Sequence, residues 1–307
     1  MKTILVTGSN GLLGQKIVYA LRNREGIRCI SASRGENRMY AKDGYIYEAL
    51  DLSDKSQIEK IFEKYSPDAV INTAAMTNVD ACETRHEEAW VGNVSTVEYL
   101  ISSCKKYKTH LVHLSTDFVF NGNDGPYIES DEPDPLSYYS YTKHEAEKRI
   151  QASGLKWAIL RTIIIYGVVD GNTRSNVVLW AMNGMKNKKT ITVINDQFRS
   201  PTLAEDLAQA CIAAALKKST GFYHVSGREV MNILDMVLIV ADFFKLDKSF
   251  IQPISSEELN QPAKRPPVTG FIIDKAVKEL DFNPRTFLEG LSYIKKQLEL
   301  VAQENTK

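Results

Sequence analysis

Tyr139 and Lys143 stand four positions apart in Tyr-Ser-Tyr-Thr-Lys. On a helix, residues at that spacing project from one face, so the lysine ammonium would sit near the phenol and favour its ionised form. A free tyrosine titrates near about 10, too high for ready proton exchange at neutral pH. A neighbouring cation makes it a usable acid or base. Tyr138 and Tyr141 compete locally, but neither precedes a lysine by four positions. Just upstream, the apolar run 111–114 leads into Ser115-Thr116-Asp117. In a parallel sheet this puts Thr116 at the carboxyl end of a strand, on the ligand side. A hydroxyl and a phenol converging on one carbonyl oxygen can stabilise charge that develops there on reduction. Taken alone, Thr116 is more often a hydroxyl that satisfies strand-end backbone.

A second constellation lies at the N-terminus, in Thr7-Gly8-Ser9-Asn10-Gly11-Leu12-Leu13-Gly14. Gly8, Gly11 and Gly14 let the backbone turn tightly and approach a pyrophosphate with no Cβ in the way. A helix beginning near Gly11 presents free N–H groups to phosphate oxygens. The spacing is Gly-x-x-Gly-x-x-Gly, and three glycines in a tight strand-to-helix connection are the bland alternative. Its place between the first strand and the first helix favours a dinucleotide, with Asn10 and Leu12 among the contacts. At the end of the second strand come Ala32, Ser33 and Arg34, with Arg38 beyond and no acid before Glu36. A hydroxyl and a guanidinium suit a ribose 2′-phosphate, which favours NADP(H) over NAD(H). A solvated surface arginine is the competing account of Arg34. Asp51 and Leu52 follow the third apolar region and can meet the adenine. Thr73, Ala74 and Ala75 end another strand with small residues, leaving room for a cofactor to pass.

The elements needed to hold these residues are legible as alternating patterns. Residues 3–6, 27–31, 69–72, 110–115 and 157–161 read as strands, and 58–65, 87–107 and 139–153 as helices, with another from the glycine turn to about Arg22. Strands that are apolar throughout and separated by helices imply a parallel sheet covered on both faces. The expected fold is α/β, a doubly wound parallel sheet of Rossmann type with a smaller C-terminal lobe. Residues 1–161 form the dinucleotide-binding domain in this scheme. Residues 162–307 form mainly a substrate-binding lobe, with room for segments that return to the sheet. Helical patterns at 175–185, 203–216, 230–244 and 288–299 alternate there with strand-like pieces at 190–194 and 221–225. The proline-punctuated stretch 253–267 is expected to be loop.

The 307 residues are 43% hydrophobic and 25% charged, an ordinary globular composition with length for a large core. Thirty-eight basic residues balance 38 acidic ones, which argues against a nucleic-acid or anionic-membrane footprint. Cys29, Cys82, Cys104 and Cys211 are scattered without a Cys-x-x-Cys pair, so reduced core thiols in a cytosolic protein are expected and no metal. Neither a signal segment nor a bilayer-length apolar run is evident, and the expected location is cytoplasmic. The five histidines suggest no ligand set; His110 and His113 flank and alternate within a strand.

Taken in order, the glycine set, Asn72-Thr-Ala-Ala, Ser115-Thr-Asp and Tyr139-xxx-Lys143 resemble the extended short-chain dehydrogenase/reductases. Ala75-Met-Thr-Asn-Val-Asp80, Ser-Thr-Asp-Phe-Val-Phe-Asn-Gly122 and Asp196-Gln-Phe-Arg-Ser-Pro-Thr202 are similar to the dTDP-4-dehydrorhamnose reductase family. The likeness runs from the first strand to Arg265-Pro266. It implies NADPH-dependent reduction of a 4-keto group on a nucleotide sugar, with Tyr139 as proton donor and Thr116 hydrogen-bonded to the same oxygen. Lys143 would hold the nicotinamide ribose and lower the Tyr139 pKa, and Asn93 would support Lys143 through water. Asn176 would lie near the nucleotide sugar. Arg199 and Arg265 are candidates for its diphosphate, because guanidinium forks suit phosphate oxygens; salt-bridged surface arginines are the alternative. The expected partners are this substrate and a second copy of the chain. Two departures stand out: Ile164 where many rhamnose-forming members carry a tryptophan, and Arg199 where many have a smaller residue. The resemblance also extends to the regulatory subunit of methionine adenosyltransferase, a non-catalytic NADP-binding alternative, and to nucleotide-sugar epimerase/reductases or dehydratases of the same superfamily as a second enzyme reading.

Overall fold

The computed structural model describes residues 1–171 and 175–304. Its main body alternates strand and helix: β1 (Lys2–Thr7), α1 (Leu12–Leu21), β2 (Ile27–Ser33), β3 (Ile46–Ala49), α2 (Lys55–Tyr65) and β4 (Ala69–Asn72). Then come α3 (Val79–Thr84), α4 (His86–Trp90), α5 (Thr96–Tyr107), β5 (His110–Thr116), α6 (Tyr138–Gln151) and β6 (Trp157–Thr162). The strands are apolar on both faces because helices cover both, and β4 and β5 are buried at every residue.

Beyond β6 the pieces shorten. They are β7 (Ile165–Tyr166), α7 (Val177–Lys186), β8 (Ile191–Ile194), β9 (Phe198–Arg199), β10 (Thr202–Leu203), α8 (Ala204–Lys217) and β11 (Gly221–His224). The chain finishes with β12 (Met231–Asn232), α9 (Ile233–Phe244), β13 (Ile251–Ile254), α10 (Ser256–Leu259), α11 (Asp274–Leu280) and α12 (Phe287–Glu304). The main sheet has seven parallel strands in the order β11-β6-β5-β4-β1-β2-β3. The order reverses between β1 and β4, and in doubly wound sheets ligands bind in the crevice beyond the carboxyl ends at such a point.

Not everything after Thr162 leaves this body. β11 adds to the sheet beside β6, and α8 packs on α1 through Leu207, Cys211 and Ala214 in the same core as Ile17 and Val18. A separate core gathers Val178, Met182, Val237, Phe287 and Leu291 from α7, α9 and α12.

Two segments differ from the sequence expectation. The helix expected over 87–107 contains a π-helical turn at Val91–Ser95, between α4 and α5. Within it Asn93 accepts from the Met76 N–H at 2.7 Å and donates to the Met76 carbonyl at 3.2 Å, tying the helix to the strand-end loop. Such turns commonly mark functional regions. The stretch expected as loop over 253–267 holds the end of β13 and all of α10. Among the described residues β13 pairs only with β8, and such an edge strand tolerates Pro253. Ser255 and Glu258 close a capping box at the start of α10.

Among the described residues, no helix is long and apolar enough to cross a membrane. No group of three or more His, Cys, Asp or Glu side chains there is arranged to hold a metal. The four cysteines are unpaired and buried.

Candidate active site

A cavity of about 1270 Å³ opens at the carboxyl ends of the central strands. One end is floored by the glycine turn. Gly8 has φ +73°, and a Cβ added there would lie 2.7 Å from the Ala74 nitrogen. At Gly14 an added Cβ would lie 2.4 Å from the Gly8 carbonyl oxygen, so turn and helix touch backbone to backbone. α1 starts after Gly11 with no side-chain cap, which leaves its first-turn N–H groups to whatever occupies the cavity. Gly8, Gly11, Leu12 and Gly14 all line it.

The loop after β2 is shaped by Asn10, whose Nδ2 donates to the Glu36 carbonyl at 2.9 Å while its Oδ1 accepts from the Arg38 N–H at 3.0 Å. The Tyr47 hydroxyl donates to the Gly35 carbonyl at 2.7 Å. These bonds fold the loop against the glycine turn. Ser33, Arg34 and Arg38 line the cavity, with both arginines exposed. Asp51 and Leu52 close this end, and the Asp51 carboxylate accepts from the Ser53 N–H at 2.9 Å. Thr73, Ala74 and Ala75 form the floor towards the far end, where the Thr73 hydroxyl donates to the Thr7 carbonyl at 2.7 Å.

At that far end Thr116, Tyr139 and Lys143 share the wall. Thr116 is the last residue of β5; its hydroxyl donates to Asp117 Oδ1 at 3.1 Å and accepts from the Phe118 N–H at 3.2 Å. A Ser137–Ser140 capping box starts α6 and so sets Tyr139 in its first turn, edge-on to Phe118. Burial pushes the Tyr139 phenol above its ordinary value, and the Thr116 hydroxyl against it offsets part of that rise. The expectation that the Lys143 ammonium would favour the phenolate is not met. Lys143 Nζ donates instead to the Leu114 carbonyl at 2.6 Å and lies 3.3 Å from His113 Nε2. Burial brings Lys143 down to about 8, against the pull of Glu147. Burial also raises Asp117, opposed by Arg199, Thr269 and Thr116.

Three sequence candidates stand off the cavity wall. Asn93 is buried and spends its amide on Met76 and on the Thr142 hydroxyl at 3.0 Å, so it braces the residue before Lys143. Arg199 is 1% exposed. Its guanidinium donates to the carbonyls of Pro266 at 2.6 Å, Phe198 at 2.7 Å and Pro267 at 3.1 Å, and lies 3.8 Å from Asp117. It clamps the 266–267 segment behind Asp117 and has no free face for a diphosphate. Arg265 is paired with Asp80 at 2.7 Å and with the Ala263 carbonyl. Asn176 does line the cavity, although its side chain caps α7 and donates to the Gly167 carbonyl at 2.7 Å. Ile164 lines it too, at φ +28°, a conformation a β-branched residue rarely adopts. Two residues to which the sequence assigns no role at the site, Asn72 and His113, stand behind Lys143.

A family model described as the RmlD substrate binding domain matches residues 1–300. The chain belongs to that family. Its relatives with this fold are diverse in name. The RmlD-family chain is 28% identical over 292 residues to the spore coat polysaccharide biosynthesis protein SpsK of Bacillus subtilis, covering 95% of this chain and 96% of that one. It is 30% identical over 261 residues to methionine adenosyltransferase 2 subunit beta of Bos taurus, covering 83% and 75%. Among solved structures, a dTDP-4-dehydrorhamnose reductase of Clostridium acetobutylicum superposes with a TM-score of 0.83 at 27% identity, covering 97% and 99%.

Proposed function

We propose that this RmlD-family chain is an NADPH-dependent reductase of the 4-keto group of a nucleotide-activated deoxysugar, with dTDP-4-dehydrorhamnose the first substrate to test. The observation that carries this is a single cavity shared by the glycine turn, Ser33, Arg34 and Arg38 at one end and Thr116, Tyr139 and Lys143 at the other. The residues fit a dinucleotide: backbone without Cβ atoms and an uncapped helix start suit its pyrophosphate, and two exposed guanidinium groups suit a 2′-phosphate. When bound, the cofactor supplies a hydride to the sugar's carbonyl carbon. Thr116 would orient the carbonyl oxygen, and Tyr139, kept protonated by burial, would give it the phenolic proton as charge develops there. Lys143 would meet the nicotinamide ribose. Residues 1–161 would carry the cofactor, and the smaller core around α7 and α9 the sugar nucleotide, in a cytoplasmic protein.

The similarity to methionine adenosyltransferase 2 subunit beta supports a second reading, a non-catalytic NADP-binding subunit. A panel of dTDP-, GDP- and UDP-linked 4-keto sugars followed by NADPH oxidation, beside a pull-down for a stable partner, separates the two. Turnover on the panel supports the reductase. Tight NADPH binding with no turnover and a stoichiometric partner would favour the subunit.

A further inference from the structure

A row of buried polar groups crosses the sheet behind the cavity and ends at Lys143. Thr7, Asn72 and His113 are register partners on β1, β4 and β5, so their side chains leave the same face of the sheet. The Thr7 hydroxyl donates to Asn72 Oδ1 at 2.6 Å, and the Ala74 N–H donates to the same atom at 3.2 Å. A backbone N–H can meet only an acceptor, so that atom is the oxygen and the amide cannot be turned over. Asn72 Nδ2, a pure donor, therefore points at His113 Nδ1, 3.0 Å away.

His113 Nδ1 must accept, and so carries no proton. A neutral imidazole then keeps its one proton on Nε2, and Nε2 lies 3.3 Å from Lys143 Nζ. An ammonium there would face that N–H donor to donor. A free amine gives one N–H to the Leu114 carbonyl at 2.6 Å and receives the Nε2–H on its lone pair. A charged imidazolium offers no escape: it would carry a proton on Nδ1, facing the Asn72 Nδ2 donor, and full burial holds His113 well below its ordinary value.

We infer that Asn72 and His113 are positioning residues that favour the free-amine form of Lys143, so that this lysine exchanges its proton within reach of neutral pH. The other charged groups around it do not reverse this. Glu147, one turn along α6, favours the ammonium, but Arg161 of β6 takes both its oxygens at 3.0 and 2.8 Å, with His144 3.7 Å away. Asp117 is engaged by Thr116, Thr269 and Arg199. Burial of Lys143 acts in the same direction as the histidine. Any consequence for turnover rests on the reductase reading; the titration itself does not.

The test is NMR titration of the ligand-free protein labelled with [ε-13C]lysine, with Lys143→Arg identifying the resonance. Lys143 is expected to titrate well below the other lysines, which change near about 10.4. His113→Gln can turn its amide oxygen towards Nζ, and the midpoint should rise by about one unit or more. Asn72→Asp reaches the same ring from the other side: its carboxylate requires Nδ1–H, which makes Nε2 an acceptor and also raises the midpoint. In the reductase assay the high-pH limb of the rate should move up with these variants. Lys143 titrating with the other lysines overturns the inference, as does an unchanged midpoint in whichever variant folds. Turnover with an ordinary Lys143 titration removes this inference alone. A low, histidine-dependent titration without turnover on any sugar removes the reductase reading alone.

Discussion

Gly8→Ala tests the glycine turn most sharply, because two separate costs can be worked out from its surroundings. At φ +73° an alanine adopts the left-handed region, which costs about 1–2 kcal/mol. Its Cβ would also lie 2.7 Å from the Ala74 nitrogen and 2.9 Å from the Ala74 Cα. Both are backbone atoms, so no side chain can swing away and the turn must part from the end of β4. Overpacking of that kind costs about 1–3 kcal/mol more, giving about 2–5 kcal/mol in all. Gly26 supplies the control. It has φ +74° with nothing within 4 Å of its would-be Cβ, so Gly26→Ala carries the backbone cost alone. At about 1.5 °C per kcal/mol for 307 residues, the extra cost of about 1–3 kcal/mol should make Gly8→Ala unfold about 2–5 °C below Gly26→Ala. The parted turn also forms the cavity floor, so NADPH affinity measured by fluorescence titration should fall by about tenfold or more, the equivalent of one or two hydrogen bonds. Gly26→Ala should bind NADPH as the parent does. Equal unfolding temperatures for the two variants, with unchanged affinity in Gly8→Ala, would refute the placement of this turn under a cofactor.

Three further outcomes follow from single residues. Arg34→Asp should turn cofactor preference from NADPH towards NADH, read as the ratio of Kd values; an unchanged ratio would remove Arg34 from the 2′-phosphate. Arg199→Met should destabilise by about 3–5 kcal/mol in denaturant unfolding, since it removes the cation beside buried Asp117 and leaves the Pro266 carbonyl without its donor, whereas Arg265→Ala should cost under about 1 kcal/mol. Similar small losses in both would contradict the clamp. Burial opposes ionisation of Glu147, but the Arg161 guanidinium, hydrogen-bonded to both carboxylate oxygens, outweighs it and holds its pKa at about 2, below the ordinary 4.5. A lowered folded-state pKa means this stabilisation is complete above pH 4.5 and lost as pH falls towards 2. Glu147→Gln should cost about 3–5 kcal/mol at neutral pH and flatten the acid limb of the stability curve between those values; an unaltered limb would assign the acid sensitivity elsewhere.

Much of this site can be read in the chain because its parts are local. Gly8, Gly11 and Gly14 belong to one turn, and Tyr139 and Lys143 to one helix face, so spacing alone predicts that each set comes together. Thr116 and Thr73 follow from strand ends in a parallel sheet. What spacing does not contain is register and burial. Asn72 and His113 are 41 residues apart and meet because β4 and β5 pair at those two positions. His113 therefore reads as one more strand histidine, and spacing alone aims the Lys143 charge at Tyr139. Arg199 and Arg265 stand off the cavity wall for a related reason. A guanidinium is equally good at gripping phosphate and at gripping carbonyls, and only the fold puts Arg199 behind Asp117 and Arg265 against Asp80. The strand at Ile251–Ile254 was hidden by Pro253, which an edge position excuses.

The central claim is that Tyr139 protonates a sugar carbonyl, and the direct test is Tyr139→Phe assayed by NADPH oxidation with dTDP-4-dehydrorhamnose, alongside NADPH binding. Loss of the general acid predicts a fall in kcat of about 10²–10⁴-fold with NADPH affinity within about twofold of the parent. Near-parental turnover by Tyr139→Phe would contradict it.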